Sequence, residues 1–131
     1  MPIQRLSPLE AQAAMQAEPE ALLIDVRDPV EFAFVGYPVG AINVPWKFAP
    51  EMRANPDFLA DVGRLAPSLD TPLYLICRSG QRSLAAAEAL AGVGYRCVVN
   101  IEEGFEGPLD DHKRRGALGG WRYHGLPWQQ A

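Results

Sequence analysis

The stretch CRSGQRS at residues 77–83 places a cysteine directly ahead of two arginines and a glycine. The thiolate form of cysteine is a strong nucleophile, and nearby cations or backbone N–H groups stabilise it. Gly80 can adopt a positive φ, which would let the loop turn its N–H groups inward as an anion nest. Arg78 and Arg82 would add positive charge. The stretch therefore predicts a nucleophilic cysteine at position 77.

The other polar residues of this loop admit more than one role. Arg78 and Arg82 either draw in anionic substrates or are solvated charges, and Arg82 is better placed to brace the nest. Ser79 and Ser83 either donate hydrogen bonds to the sulfur or cap the following helix, and the cap is favoured for Ser83. The candidate active-site loop comprises Arg78, Ser79, Gly80, Gln81, Arg82 and Ser83.

The elements that must position Cys77 can be predicted around it. Short apolar runs at 21–24, 41–44, 73–76 and 97–101 are continuous rather than alternating, as in strands buried on both faces of a parallel sheet. Cys77 follows the third run, residues 78–82 form a bridge, and a helix is predicted from Ser83 to about Val93, ended by Gly94. Open α/β sheets bind ligands at this edge.

Three further helix starts carry capping residues followed by proline, at Ser7, Asp28 and Asn55. Glutamates three residues after the first two caps, Glu10 and Glu31, predict capping boxes. These helices are expected to end near residues 17, 36 and 65. Strands alternating with helices predict an α/β architecture.

Asp25 and Arg27 end a predicted strand and reach the same sheet edge as Cys77, where we expect them to brace neighbouring loops or contact substrate. Trp46 and Phe48 are read as packing residues or as part of the pocket mouth.

Composition narrows the classes of function. The 131 residues are 48% apolar and 21% charged, with a net charge of −4, and predict a single domain over 1–131 with its core at about 5–107. Residues 108–131 are read as a polar loop and a small apolar segment. The acidic balance argues against a nucleic-acid partner, and no apolar run is long enough to span a membrane. MPIQRLSPLE carries no recognisable export signal, so a cytoplasmic location is expected.

The remaining candidate ligands and nucleophiles are few. Cys97 stands twenty residues from Cys77 and is read as a packing residue, with a resolving thiol as the alternative. No zinc pattern can be written, so no metal is expected. His112 and His124 are weak candidates for a catalytic base.

Three segments resemble the rhodanese family of sulfurtransferases: LLIDVRDPVEF at 22–32, GAINVP at 40–45 and CRSGQRS at 77–83. The resemblance implies a five-stranded, mainly parallel sheet flanked by helices, and a Cys77 persulfide that needs no cofactor. It also implies a small anionic sulfur donor such as thiosulfate, and a thiol or cyanide acceptor. A protein sulfur donor or acceptor is the alternative, as in a sulfur-relay or regulatory module.

The chain departs from this family where many members have Gly-His-Ile, because it has Gly36-Tyr37-Pro38-Val39 instead. A cysteine phosphatase of the Cdc25 type is a rival of similar fold. That class places five residues between cysteine and arginine, whereas this chain places four before Arg82, which crowds a tetrahedral phosphate. The run 113–115 is read as a solvated cluster or as an anionic or protein-docking rim.

Overall fold

The computed structural model describes residues 3–131, so Met1 and Pro2, which open the segment predicted to carry no export signal, lie outside the described residues. In chain order the elements are β1 (Gln4–Leu6), α1 (Pro8–Gln16), β2 (Leu22–Asp25), α2 (Pro29–Val35), β3 (Tyr37–Pro38), β4 (Ile42–Asn43), β5 (Lys47–Phe48), β6 (Arg53–Ala54), α3 (Phe58–Leu65), β7 (Leu73–Ile76), α4 (Gln81–Gly92), β8 (Val98–Ile101) and β9 (Trp128–Gln129).

The main sheet has five strands in the order β1-β8-β7-β2-β4, and every neighbouring pair is parallel. The predicted α/β class is therefore confirmed. The four predicted strands appear within one or two residues of their expected bounds. Strand β1 was not located from the sequence, because its QRL residues are partly exposed at the sheet edge and form no apolar run.

Helices cover both faces of this sheet. On one face, α3 and α4 contribute Val62, Ala87 and Leu90 to a buried cluster with Leu75 of β7. On the other face, Ala11 of α1 joins a second cluster that includes the strand residues Tyr74, Ile76, Val99 and Ile101. Successive residues of β7 alternate between the two clusters, as the period of a strand requires. Cys77 continues this alternation on the side of α4.

Helix starts agree with the sequence at α1 and α2 and differ at α3 and α4. Ser7 and Glu10 form the predicted capping box. Helix α3 begins at Phe58 rather than at Pro56, because the Asn55 side chain binds the Asp57 N–H and the Pro45 carbonyl instead of capping a helix. Helix α4 begins at Gln81, two residues before the prediction, so the bridge from β7 is only residues 78–80.

The carboxyl-terminal tail packs on the sheet. The Trp121 side chain is 1% exposed and lies in the second cluster, so the expected core of residues 5–107 receives a side chain from the tail. Strand β9 pairs antiparallel with β3 through the register Pro38↔Trp128. The segment that replaces the family's Gly-His-Ile is thus covered by the tail. Among residues 3–131, no helix has the length and apolar character needed to cross a membrane.

Candidate active site

Cys77 lies at the carboxyl end of β7, the central strand, where a three-residue turn leads into α4. Gly80 caps α4 with φ 109°, the left-handed conformation predicted for it. This turn folds the chain back so that the start of α4 faces the sulfur. The side chain of Cys77 is only 1% exposed.

Three hydrogen-bonding groups converge on the Cys77 sulfur. The Gly80 N–H donates to Sγ over 3.1 Å, the Ser83 N–H donates over 3.3 Å, and Ser83 Oγ lies 3.2 Å away. Donors placed in this way stabilise negative charge on the sulfur, as does the amino end of α4. The predicted nest is thus formed by the backbone of the turn and the first turn of the helix.

Ser83 corrects the sequence-based assignment. It is the third residue of α4 and is buried, so it does not cap the helix; Gly80 occupies that position. Ser79 is half-buried at the cavity wall. The hydroxyl that meets the sulfur therefore belongs to Ser83.

The Ser83 hydroxyl links the sulfur to Asn100 at the centre of the site. Ser83 Oγ donates to Asn100 Oδ1 over 2.5 Å, while Asn100 Nδ2 donates to the Gly80 carbonyl and to the Glu102 carboxylate. A hydroxyl carries one hydrogen, so in this arrangement a neutral Cys77 thiol donates to Ser83 Oγ. When the sulfur is ionised, rotation of the same hydroxyl turns its hydrogen towards the sulfur.

A cavity of about 430 Å³ opens at Cys77. One wall is formed by the loop and the start of α4, through Arg78, Ser79, Gln81 and Arg82. The facing wall consists of Glu31 of α2 with Ala49 and Met52 from the β5–β6 connection. Trp46 instead packs edge-on against Phe58, with 5.0 Å between ring centroids, and Phe48 lies beneath the Arg53 guanidinium. The pocket-mouth interpretation of these two aromatics is therefore not supported.

Arg82 pairs with Glu31 through two hydrogen bonds of 2.7 and 3.0 Å. Burial acts to raise the pKa of Glu31, but the hydrogen bonds and charge of Arg82, together with the charge of Arg27 and the Asp28 N–H, outweigh it and leave that pKa below the ordinary 4.5. Asp28 caps α2 as predicted, and both oxygens of the Glu31 carboxylate bind Arg82. Arg82 therefore braces the start of α4 against α2, and its charge is compensated.

Arg78 differs from Arg82 in its partners. It is exposed, and no carboxylate within the described residues forms an ion pair with it. Gln81 is exposed on the same wall. Arg78 is thus an uncompensated cation at the mouth of this cavity.

Asp25 and Arg27 form a fully buried ion pair beside the site. The Arg27 guanidinium binds both Asp25 oxygens, donates to the Gly36 carbonyl, and lies 4.7 Å from the centroid of the Phe105 ring. Burial raises the pKa of the Asp25 carboxyl, while Arg27 acts in the opposite direction. Neither residue lines the cavity, so their geometry is that of a loop brace.

The remaining candidates lie away from the sulfur. His124 contacts Glu103 at 3.0 Å, and His112 is exposed in the tail. Cys97 precedes the amino end of β8, at the opposite end of the strands from Cys77, and both cysteines are free. Within residues 3–131, no cluster of three His, Cys, Asp or Glu side chains is placed to hold a metal ion.

Sequence reasoning missed Glu31 as a cavity wall and Asn100 as the partner of Ser83. Asn100 carried a usable signal, because a polar residue inside the apolar run VVNI must find buried partners. Ala49 and Met52 carried none, since their approach to Cys77 depends on how the β5–β6 hairpin folds.

Comparison with known proteins identifies the family. Residues 7–109 match the family described as "Rhodanese-like domain", and the chain belongs to that family. Sulfur transfer is the general chemistry that this membership supports.

Three individual proteins are similar to this chain over most of its length. "Uncharacterized protein RP600" of Rickettsia prowazekii is 32% identical over 132 residues, covering 98% of this chain and 99% of that protein. "Thiosulfate sulfurtransferase GlpE" of Pseudomonas syringae is 32% identical over 102 residues, covering 78% and 83% respectively. The crystal structure of Rv0390 from M. tuberculosis is similar with a TM-score of 0.87 and 36% identity, covering 100% of both chains.

Proposed function

We propose that this protein is a sulfurtransferase that moves sulfane sulfur from thiosulfate, or from a persulfide donor, to a thiol or cyanide through a persulfide on Cys77. The observation that carries the proposal is the set of groups on the sulfur: two N–H donors, from Gly80 and Ser83, and the Ser83 hydroxyl, which can turn its hydrogen from Asn100 to an ionised sulfur. Such preorganised donors stabilise a negatively charged sulfur where water is excluded.

The first half-reaction follows from this arrangement. The Cys77 thiolate attacks the outer sulfur of thiosulfate, a new S–S bond forms, and the bond to the sulfonate breaks with release of sulfite. The product is a persulfide whose terminal sulfur carries the negative charge. We expect the groups that lie 3.1–3.3 Å from Cys77 Sγ to stabilise this intermediate too.

The second half-reaction returns the enzyme to its starting form. Cyanide or a thiolate attacks the terminal sulfur, the S–S bond to Cys77 breaks, and its electron pair remains on the Cys77 thiolate. Thiocyanate or a new persulfide leaves. The sulfur is carried on Cys77 itself, so the proposed cycle needs no metal or organic cofactor.

The loop around Cys77 suits a small anionic sulfur donor better than a phosphate ester. Arg78 supplies an uncompensated cation at the mouth, while Glu31 presents a carboxylate on the facing wall and already binds Arg82. Thiosulfate and a phosphate ester are both dianions, so this charge does not separate them. The four residues between Cys77 and Arg82 favour sulfur transfer, because the short loop leaves room for a sulfane sulfur and crowds a tetrahedral phosphate.

Steady-state formation of thiocyanate from thiosulfate and cyanide tests the proposal. We expect Cys77→Ser to lower kcat/KM by at least about 10³-fold, because the nucleophile is removed, and Cys97→Ser to stay within about twofold of wild type. Robust Cys77-dependent hydrolysis of an aryl phosphate would overturn the proposal in favour of a phosphatase. A protein persulfide that loads Cys77 far faster than thiosulfate would assign the protein to sulfur relay.

A further inference from the structure

A second cavity of about 330 Å³ adjoins the active-site cavity. The two share Arg78, Ser79 and Gln81 as lining residues, so they lie next to each other at the start of α4. The far wall of the second cavity comes from the tail, through Pro108, Leu109 and Arg115. Its volume is within the range of small-molecule sites.

That far wall is a short hairpin held in a defined shape, residues 109–115, which we call the tail hairpin. Leu109 and Arg115 face each other as an antiparallel bridge. The Asp110 carboxylate closes the turn by accepting from the N–H groups of His112 and Arg114 over 2.8 and 2.9 Å. Leu109 and Arg115 are therefore presented side by side.

The tail hairpin is also fixed relative to Cys77. The N–H groups of Glu106 and Gly107 both donate to the Arg78 carbonyl, over 3.0 and 3.3 Å, directly after the catalytic position. One nitrogen of the Arg115 guanidinium donates to the Gly107 carbonyl over 2.9 Å. The guanidinium is thus anchored through one nitrogen, and its other donors remain for a ligand.

The second cavity carries uncompensated positive charge. Six arginines of the described residues have a carboxylate within 4.0 Å, namely Arg5, Arg27, Arg64, Arg82, Arg96 and Arg122. Arg78 and Arg115 have no such partner in residues 3–131. Of the acidic residues on the tail hairpin, Asp110 binds backbone N–H groups, and Asp111 is exposed and does not line the cavity. Two guanidinium groups and the apolar Leu109 therefore line one depression.

We propose that this second cavity is the acceptor subsite, and that it takes a thiol bearing a carboxylate on a short aliphatic chain. The carboxylate pairs with Arg115, the chain lies against Leu109, and the thiol reaches the Cys77 persulfide. Thiosulfate does not need this cavity, because its charged sulfonate group is bonded directly to the sulfur that it donates. A ligand that spans both cavities must carry its charge away from its reactive sulfur. The inference rests on the proposed function.

The test measures the second half-reaction alone. Enzyme loaded with thiosulfate is freed of donor and mixed with mercaptopropionate or with uncharged mercaptoethanol. We expect Arg115→Ala to lower kcat/KM for mercaptopropionate by about tenfold, and to leave mercaptoethanol and the loading rate within about twofold of wild type. Arg115→Lys, which keeps the charge, should recover part of the loss. Comparing each acceptor with itself removes differences in thiol reactivity.

Arg114→Ala is the matched control, because Arg114 is an exposed neighbour outside the cavity wall and its loss changes net charge equally. It should leave both acceptors unchanged. Equal losses for both acceptors in Arg115→Ala would mean a structural role, and no loss would mean no subsite; either result overturns the inference.

Binding of unreactive (methylthio)propionate to the unloaded enzyme, followed by NMR, separates the two proposals. Its affinity should fall about tenfold in Arg115→Ala whether or not Cys77 accepts sulfur. If thiosulfate fails to load the enzyme while this binding holds, the proposed function fails and the anion subsite stands. If loading proceeds and the binding does not depend on Arg115, the subsite fails alone.

Discussion

The two cysteines flank adjacent strands of one parallel sheet, but they lie at opposite ends of those strands. Cys77 follows β7 at the carboxyl edge, where the chain turns into α4. Cys97 precedes β8 at the amino edge, and its carbonyl accepts the Leu73 N–H over 2.9 Å. Only the first therefore faces the amino end of a helix, which supplies free N–H donors.

The two thiols lie in different surroundings. The Cys77 sulfur meets two N–H donors and a hydroxyl. Burial raises the pKa of the Cys97 thiol, and the carboxylate of Glu18 adds to that effect. The contrast teaches that the direction of the strand, rather than the residue type, determines which cysteine is suited to carry a negative charge.

The largest expected effect below loss of Cys77 comes from the hydroxyl donor. Ser83→Ala removes it and leaves both N–H groups in place, so transfer from thiosulfate to cyanide should fall by about 10- to 100-fold. Ser79→Ala, on the cavity wall but without a bond to the sulfur, is the matched control and should stay near wild type. Similar losses in both variants would show that the hydroxyl at the sulfur has no special role.

A matched pair of glycines separates strain from catalysis. Gly80 and Gly94 stand three residues after Cys77 and three before Cys97, with φ of 109° and 110°. Alanine at either position should lower the free energy of unfolding by about 1–2 kcal/mol, measured by urea denaturation. Only Gly80→Ala should also lower sulfur transfer, by about tenfold, because it shifts an N–H that binds the sulfur.

Wild-type activity in both glycine variants would show that the turn at Gly80 plays no part in sulfur transfer. An equal loss of activity in both would instead attribute the effect of Gly80→Ala to general destabilisation.

The smallest effect on sulfur transfer is expected at the Glu31–Arg82 pair. The pKa of Glu31 is lowered in the fold, so the stability that the pair contributes is present above the ordinary value of 4.5 and is lost as pH falls through the folded value. Glu31→Gln should cost about 1–2 kcal/mol near pH 7 and progressively less in acid, measured by urea denaturation. Glu20→Gln, at an exposed position, should show neither change.

Arg82→Ala removes the other partner of the same ion pair. It should lower sulfur transfer several-fold, more than Cys97→Ser does, because it frees the start of α4. Equal losses in Arg82→Ala and Cys97→Ser would contradict the assignment of Cys97 to packing, and a pH-independent cost of Glu31→Gln would contradict the ion pair.

The features predicted from the sequence are those set by local rules. The apolar run 73–76, the glycine at 80 and the start of a helix soon after place Cys77 at the carboxyl edge of the sheet, as the structure has it. Gly94 likewise adopts the predicted left-handed conformation after α4. Each of these depends on a few neighbouring residues.

The features that were missed depend on partners distant in the chain. Ser83 fits the rule for a capping residue, but Asn100 and the Cys77 sulfur hold it inside the helix. Glu31 also fits a local rule, but its carboxylate binds Arg82 across 51 positions of sequence. The partners of Ser83 and Glu31 depend on how α2 and α4 pack on the sheet, and no local sequence pattern predicts that packing.

Intact-mass measurement after exposure to thiosulfate tests the central claim most directly. Wild type and Cys97→Ser should each gain the mass of one sulfur atom, cyanide should remove it, and Cys77→Ser should gain nothing. A one-sulfur adduct that persists in Cys77→Ser, or that disappears in Cys97→Ser, would contradict the assignment of the chemistry to the carboxyl edge of β7.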